Sequence, residues 1–141
     1  MRKVLLDTSA YAALLGGDEA VLDAIAEASE LFMSIFVLGE LWAGFLGGRR
    51  ERENRERLEA FLGKPSVIVI DATRDTAEIF GRIKDRLRRA GTPIPINDVW
   101  IAVHALEHGA ETITYDRHFT FIPGLLLWAG VSGDHGKGRL D

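Results

Sequence analysis

At 141 residues, 47% hydrophobic and 27% charged, the chain has the length and apolar content of one folded domain with a proper core, and is too apolar for a disordered one. It has no Cys, which excludes disulfides and thiolate metal sites, and no apolar run near the roughly 20 residues of a membrane span. A formal net charge of −4 excludes a uniformly basic surface, so any nucleic-acid reading rests on how charge is distributed.

In chain order, Met1-Arg2-Lys3 runs straight into Val4-Leu5-Leu6-Asp7. That start is too short for a signal peptide's apolar region, and we expect a cytoplasmic protein. Short apolar runs of strand length then alternate with helical stretches, the pattern of a parallel sheet with helices on both faces. Strands are expected at residues 3–6, 31–34, 67–70, 111–114 and 125–127. Helices are expected at residues 9–15, 21–28, 37–46, 49–62, 73–90 and 98–108, with Gly16-Gly17, Gly47-Gly48, Gly91 and Gly109 marking helix ends. One domain spans residues 1–132, and the Gly-rich, mixed-charge stretch 133–141 reads as a disordered tail.

Four carboxylates interrupt this apolar scaffold. Asp7 closes the first strand, Glu40 is the only ionisable side chain between Ile35 and Gly48, Asp98 opens an apolar helix, and Asp116 follows the fourth strand. At 100° per residue, Ile101, Ala102, Ala105 and Leu106 fall within about 80° of Asp98, so that carboxylate aims at the apolar arc, with Trp100, His104, Glu107 and His108 on the wet side. Glu40 is likewise flanked by Phe36, Val37, Ala43 and Gly44. Asp7 and Asp116 could each be turn formers on their own. Ligands of parallel sheets gather beyond the carboxyl ends of strands, and several unpaired buried carboxylates persist best beside a cation. An all-oxygen donor set suits Mg²⁺ or Mn²⁺ and phosphate-ester chemistry. Ser9 and Thr114 are candidates for positioning water or phosphate there. Asp71, which also follows a strand, is read with Thr73 as a cap for the next helix. His104 and His108 share an i,i+4 face but lack a third ligand, and are read as solvated.

Basic residues cluster in two places. Residues 49–59 hold five Arg against four Glu, and residues 82–89 hold five basic residues against Asp85. Solvated faces laced with i,i+4 ion pairs account for such runs; an acidic site between basic helices would also suit a polyanion, with Arg86, Arg88 and Arg89 as RNA contacts. Trp42, Phe45 and Leu46 give the 37–46 helix more apolar surface than one sheet face needs, which points to an interface.

Three segments, LLDTSAYAALL, SIFVLGELWAGF and GTPIPINDVWIAVHALEHGAETITYDRHFTFIPGL, together resemble the PIN-domain ribonucleases, specifically the VapC-type toxins of prokaryotic toxin–antitoxin pairs. The match runs in order from about residue 2 to residue 128, and its most specific block is Asn97-Asp98, an apolar helix, Gly109, then Thr114-x-Asp116 and His118-Phe119. The family's acidic residues fall on Asp7, Glu40, Asp98 and Asp116, and its usual hydroxyl before the last acid on Thr114; Ser9 stands where the family often has Asn. The resemblance implies a three-layer α/β/α fold with a mostly parallel sheet of about five strands, Mg²⁺- or Mn²⁺-dependent endoribonuclease activity, a homodimer, and a small antitoxin that blocks the site. Two alternatives are a PIN nuclease of RNA processing outside a toxin–antitoxin system, and a receiver-like phosphoacceptor domain using Asp71 and Thr114. The latter needs paired acids after the first strand and a Lys after the last. Here Asp7 is followed by Thr8-Ser9, and Leu125-Leu126-Leu127-Trp128 has no Lys.

Overall fold

Val4, Leu5 and Leu6 are consecutive and all fully buried. Successive strand residues point to opposite faces, so an unbroken buried run requires a strand covered on both. The computed structural model, which describes residues 2–132, places them in β1 (Arg2–Leu6), inside a four-stranded parallel sheet flanked by helices. The chain continues through α1 (Thr8–Leu15), α2 (Glu19–Ala26), β2 (Ala28–Ser34), α3 (Ile35–Phe45), α4 (Glu51–Leu62), β3 (Val67–Ile70), α5 (Arg74–Ala90), α6 (Ile96–His108) and β4 (Glu111–Ile113), then 3₁₀ turns at Arg117–Phe121 and Ala129–Ser132. The α/β/α architecture is the one expected. The tail at 133–141 lies outside the described residues.

The strand order is β3-β2-β1-β4, with Leu5 opposite Phe32 on one side and Thr112 on the other. Strand order therefore reverses at β1. The crevice beyond the carboxyl ends of β1 and β4 is the place such a sheet offers a ligand. β3 is one edge strand of the sheet, and its Ile68 and Val69 are partly exposed.

Several expected boundaries move, each for a local reason. β2 starts at Ala28 rather than 31, because Ala28 and Glu30 pair with Arg2 and Lys3 and Ser29 Oγ donates to the Arg2 carbonyl at 2.9 Å. The expected fifth strand at 125–127 contracts to one parallel bridge, Thr112 to Leu127, after a turn at Gly124 with φ +77. The sheet thus has four strands instead of five. α3 begins two residues early because the Ser34 hydroxyl accepts from Phe36 N–H at 3.1 Å. Arg49 and Arg50 stay outside α4.

The histidines differ from the solvated reading. His104 is fully buried, since α3 and α5 cover the face of α6 that seemed wet; its Nδ1 lies 2.8 Å from Ser34 Oγ, and burial lowers its pKa. His108 is half-buried and tilts against Phe32. Trp100 is stacked between Phe36 and Phe80 on the same side. Phe45 is buried in the core and Trp42 packs against it, so of the expected excess apolar residues on α3 only Leu46 is well exposed, at 61%.

Ser34 serves two partners at once, the first turn of α3 and the buried imidazole. Ser34→Ala is expected to lower the unfolding free energy by about 1–3 kcal/mol, through the lost cap and a stranded buried donor or acceptor. A urea melt with an unchanged midpoint would contradict this.

Candidate active site

Asp7 is the first residue beyond β1 and the N-cap of α1. Its side chain is only 4% exposed. Oδ1 accepts from Ala10 N–H and Ser9 Oγ, both at 2.8 Å, and Oδ2 accepts from Thr114 Oγ1 at 2.5 Å. Ser9 and Thr114, read from the sequence as facing water or phosphate, therefore spend their hydroxyl protons on Asp7. They also bind the loop after β4: Ser9 Oγ accepts from Tyr115 N–H at 3.2 Å, and Thr114 Oγ1 from Asp116 N–H at 2.9 Å. Even with these donors, burial pushes the Asp7 carboxyl up to about 7; the Thr114, Ala10 and Ser9 hydrogen bonds oppose the rise and the charge of Asp98 adds to it.

Asp98 sits in the first turn of α6, which opens at Ile96 after Pro95 instead of at Asp98. That turn has no side-chain cap, so the aspartate is not there as one. Its side chain is 15% exposed. Burial raises its pKa to about 6, with further upward pushes from Asp116 and Glu40, while His118 pulls the other way. Asp98 thus feels Asp116 and Glu40, and its own charge acts on Asp7.

Glu40, expected in apolar surroundings, is instead held by polar ones. Thr8 Oγ1 donates to Oε1, and Asn97 Nδ2 donates to Oε2 at 3.1 Å. The reason is that the first turns of α1 and α6 both abut α3 here, and each brings its polar residue. Asp116 caps the following 3₁₀ turn, accepting from His118 N–H at 2.9 Å, and its side chain is 34% exposed. Asp98, Asp116 and His118 offer ligand atoms all within 4.8 Å of one another.

Among the described residues, Asp98 and Asp116, with His118, place ligand atoms within 4.8 Å of one another, while Asp7 and Glu40 are tied to Asp98 through charge and lie outside that group. Asp71 stays away, behind edge strand β3; it is exposed and accepts from Ala72 N–H, while Thr73 is the helix cap. Three polar groups escaped the sequence reading: Thr8, Asn97 as a partner of Glu40, and His118. Asn97 and His118 stood in the most specific block of the resemblance but were given no role there, and Thr8 was marked only by following Asp7. A further strut is Tyr115, whose hydroxyl donates to Asp18 at 2.8 Å and thereby ties the start of α2 to the loop carrying Asp116.

A set of carboxylates with raised pKa values is what a divalent cation would relieve, and the oxygens are the donors hard cations take. Both raised acids bind their proton more tightly folded than unfolded. Their contribution to stability is therefore full below about pH 4 and is lost as pH climbs through about 6 to 7. In EDTA, the protein is expected to lose stability across that window. At neutral pH Asp98→Asn should melt higher than wild type by on the order of 1 kcal/mol. Added Mg²⁺ or Mn²⁺ should stabilise wild type and do little for the variant. A less stable Asp98→Asn protein in EDTA, with an equal response to metal, would mean that these acids do not repel.

Comparison with known proteins places this geometry in context. The PIN domain family profile matches residues 4–125. The chain is 29% identical over 107 residues to Ribonuclease VapC2 of Rickettsia felis, covering 75% of this chain and 78% of that protein. It is 28% identical over 124 residues to Ribonuclease VapC4 of Mycobacterium tuberculosis, covering 87% and 93%. The structure of DNA-bound VapBC from Salmonella typhimurium superposes with a TM-score of 0.80 at 28% identity, covering 91% of this chain and 98% of that one.

Proposed function

The chain belongs to the PIN-domain family, and from that premise we propose that it is the endoribonuclease toxin of a toxin–antitoxin pair, cutting RNA phosphodiester bonds at Asp7, Glu40, Asp98 and Asp116 with Mg²⁺ or Mn²⁺. The observation that carries this is the pairing of Asp98 and Asp116 within ligand distance, with Asp98 coupled by charge to Asp7 and Glu40 and the pKa values of Asp7 and Asp98 raised. The ribonuclease names of its relatives support the RNA substrate, and its likeness to VapBC structures supports an antitoxin partner. No helix among the described residues is long and apolar enough to cross a membrane. The resemblance to the VapC-type toxins is what supports reading it as a cytoplasmic homodimer.

The donor set fits a hard divalent cation, with Asp7, Asp98, Asp116 and Glu40 as holders. Such a cation would supply a water of lowered pKa and offset charge on the phosphate oxygens. The chain's own part is orientation. Ser9, Ala10 and Thr114 fix both oxygens of Asp7, and Thr8 and Asn97 fix both of Glu40. Thr114 also holds the backbone of Asp116, so one hydroxyl spaces two acids.

Asp7→Ala, Asp98→Ala and Asp116→Ala should each cut the cleavage rate of single-stranded RNA by on the order of 10²-fold or more while the protein stays folded by circular dichroism. Glu40→Ala should weaken cleavage, and Asp71→Ala should leave it intact. Full activity of Asp98→Ala, or cleavage in excess EDTA, would sink the assignment.

The last turn of α5 leads through residues 91–95 to the start of α6 and Asp98, which would set its arginines beside an RNA entering the site. Arg88 and Arg89 lean on Asp85, and Arg86 is exposed. If these three meet phosphate, replacing them with Gln should flatten the dependence of RNA affinity on salt by a slope of up to about 2. An unchanged slope returns them to a solvated helix face.

A further inference from the structure

Among the described residues, His118 is the group at the acids whose side-chain nitrogen can offer a lone pair to a metal. Its Nδ1 lies 3.0 Å from Asp116 Oδ1 and 3.2 Å from Asp98 Oδ2. Its backbone is fixed on both sides. His118 N–H donates to Asp116 Oδ1, and the adjoining Phe119 is fully buried and roots the 3₁₀ turn in the core. The ring therefore stands where it does because an anchored turn holds it there, although the ring itself is half-exposed. As the atoms stand, Nδ1–H donates to Asp98 Oδ2, the bond that draws the Asp98 pKa down; with the ring proton on Nε2 instead, the Nδ1 lone pair would be free for a cation seated among three ligand atoms that lie within 4.8 Å of one another.

We propose that His118 is a ligand of the catalytic cation and biases the site toward Mn²⁺ over Mg²⁺. The inference rests on the metal-dependent nuclease reading above and adds to it the residue that sets cation preference. Mg²⁺ keeps to oxygen donors and holds its waters, whereas imidazole nitrogen is a better partner for transition metals. An all-carboxylate site would separate the two ions weakly. Exchanging one oxygen for a nitrogen gives the site a reason to discriminate.

The test uses the full chain with Mn²⁺ or Mg²⁺ alone, and reads binding instead of activity. Pulsed electron paramagnetic resonance of the Mn²⁺-loaded protein should show nitrogen coupling from a directly bound imidazole, and His118→Asn, which offers an oxygen at the same reach, should abolish it. Calorimetric titration of that variant should show Mn²⁺ binding weakened by about tenfold and Mg²⁺ binding changed by about threefold or less. No nitrogen coupling in wild type, or equal weakening for both ions, would overturn the proposal. Tighter binding of both ions by His118→Asn would overturn it too, because the imidazole would then be sitting in the cation's place. Asp98→Asn separates the two levels. If it loses Mn²⁺ while wild type shows no nitrogen coupling, the acidic site stands and only the ligand assignment falls. If it binds Mn²⁺ as wild type does, the nuclease reading falls and the inference with it.

Discussion

The hydrogen bond from Thr114 to Asp7 joins the end of β4 to the end of β1 at the point where strand order reverses. Everything at the site is referred to that link. Asp7 is fixed by α1, which it caps; Thr114 passes the constraint to the backbone of Asp116; and Ser9 closes the circuit by accepting from Tyr115 N–H. A carboxylate buried this deeply is costly without compensation, and the donors around it fall short, since burial still drives its pKa to about 7. The fold tolerates this because the flanking core is extensive: Val4, Leu5, Leu6, Ile113 and Phe119 are fully buried beside the acids. Stability from the core thus offsets a destabilising cluster, a common arrangement at catalytic sites.

The same logic explains which acids carry large shifts. Asp7 is buried and the Asp98 side chain is only 15% exposed, and theirs are the carboxyls that burial raises. Asp116 caps a 3₁₀ turn, and Glu40 is clasped by Thr8 and Asn97. A cation held here would draw on the desolvated carboxylates of Asp7 and Asp98 and the better-solvated ones of Asp116 and Glu40. Glu40 is the longest of the four side chains, yet both its oxygens have donors, so it too is oriented before any ligand arrives.

Much of this was legible in the sequence because it depends on local pattern. Buried parallel strands read as unbroken apolar runs, and Asp98 could be placed on the apolar arc from helical periodicity alone. The parts that were not legible depend on contacts between elements distant in the chain. The environment of Glu40 is set by Thr8 and Asn97, respectively 32 and 57 residues away. His104 seemed to face water until α3 and α5 covered it, because periodicity tells which residues share a face and not what packs on that face. The strand at 125–127 had the right composition but only one bridge to make, with Thr112. Phe45 was read as surplus surface because a helix contacting both the sheet and its neighbours buries more than one stripe.

The central claim is that these acids form a cation site at the carboxyl end of the sheet, and anomalous diffraction from crystals grown with Mn²⁺ tests it most directly. The account predicts a strong manganese peak within bonding distance of Asp98 and Asp116, bordered by Asp7 and Glu40. A crystal with no peak there, or with its peak against surface acids such as Asp71 or Asp85, would contradict it.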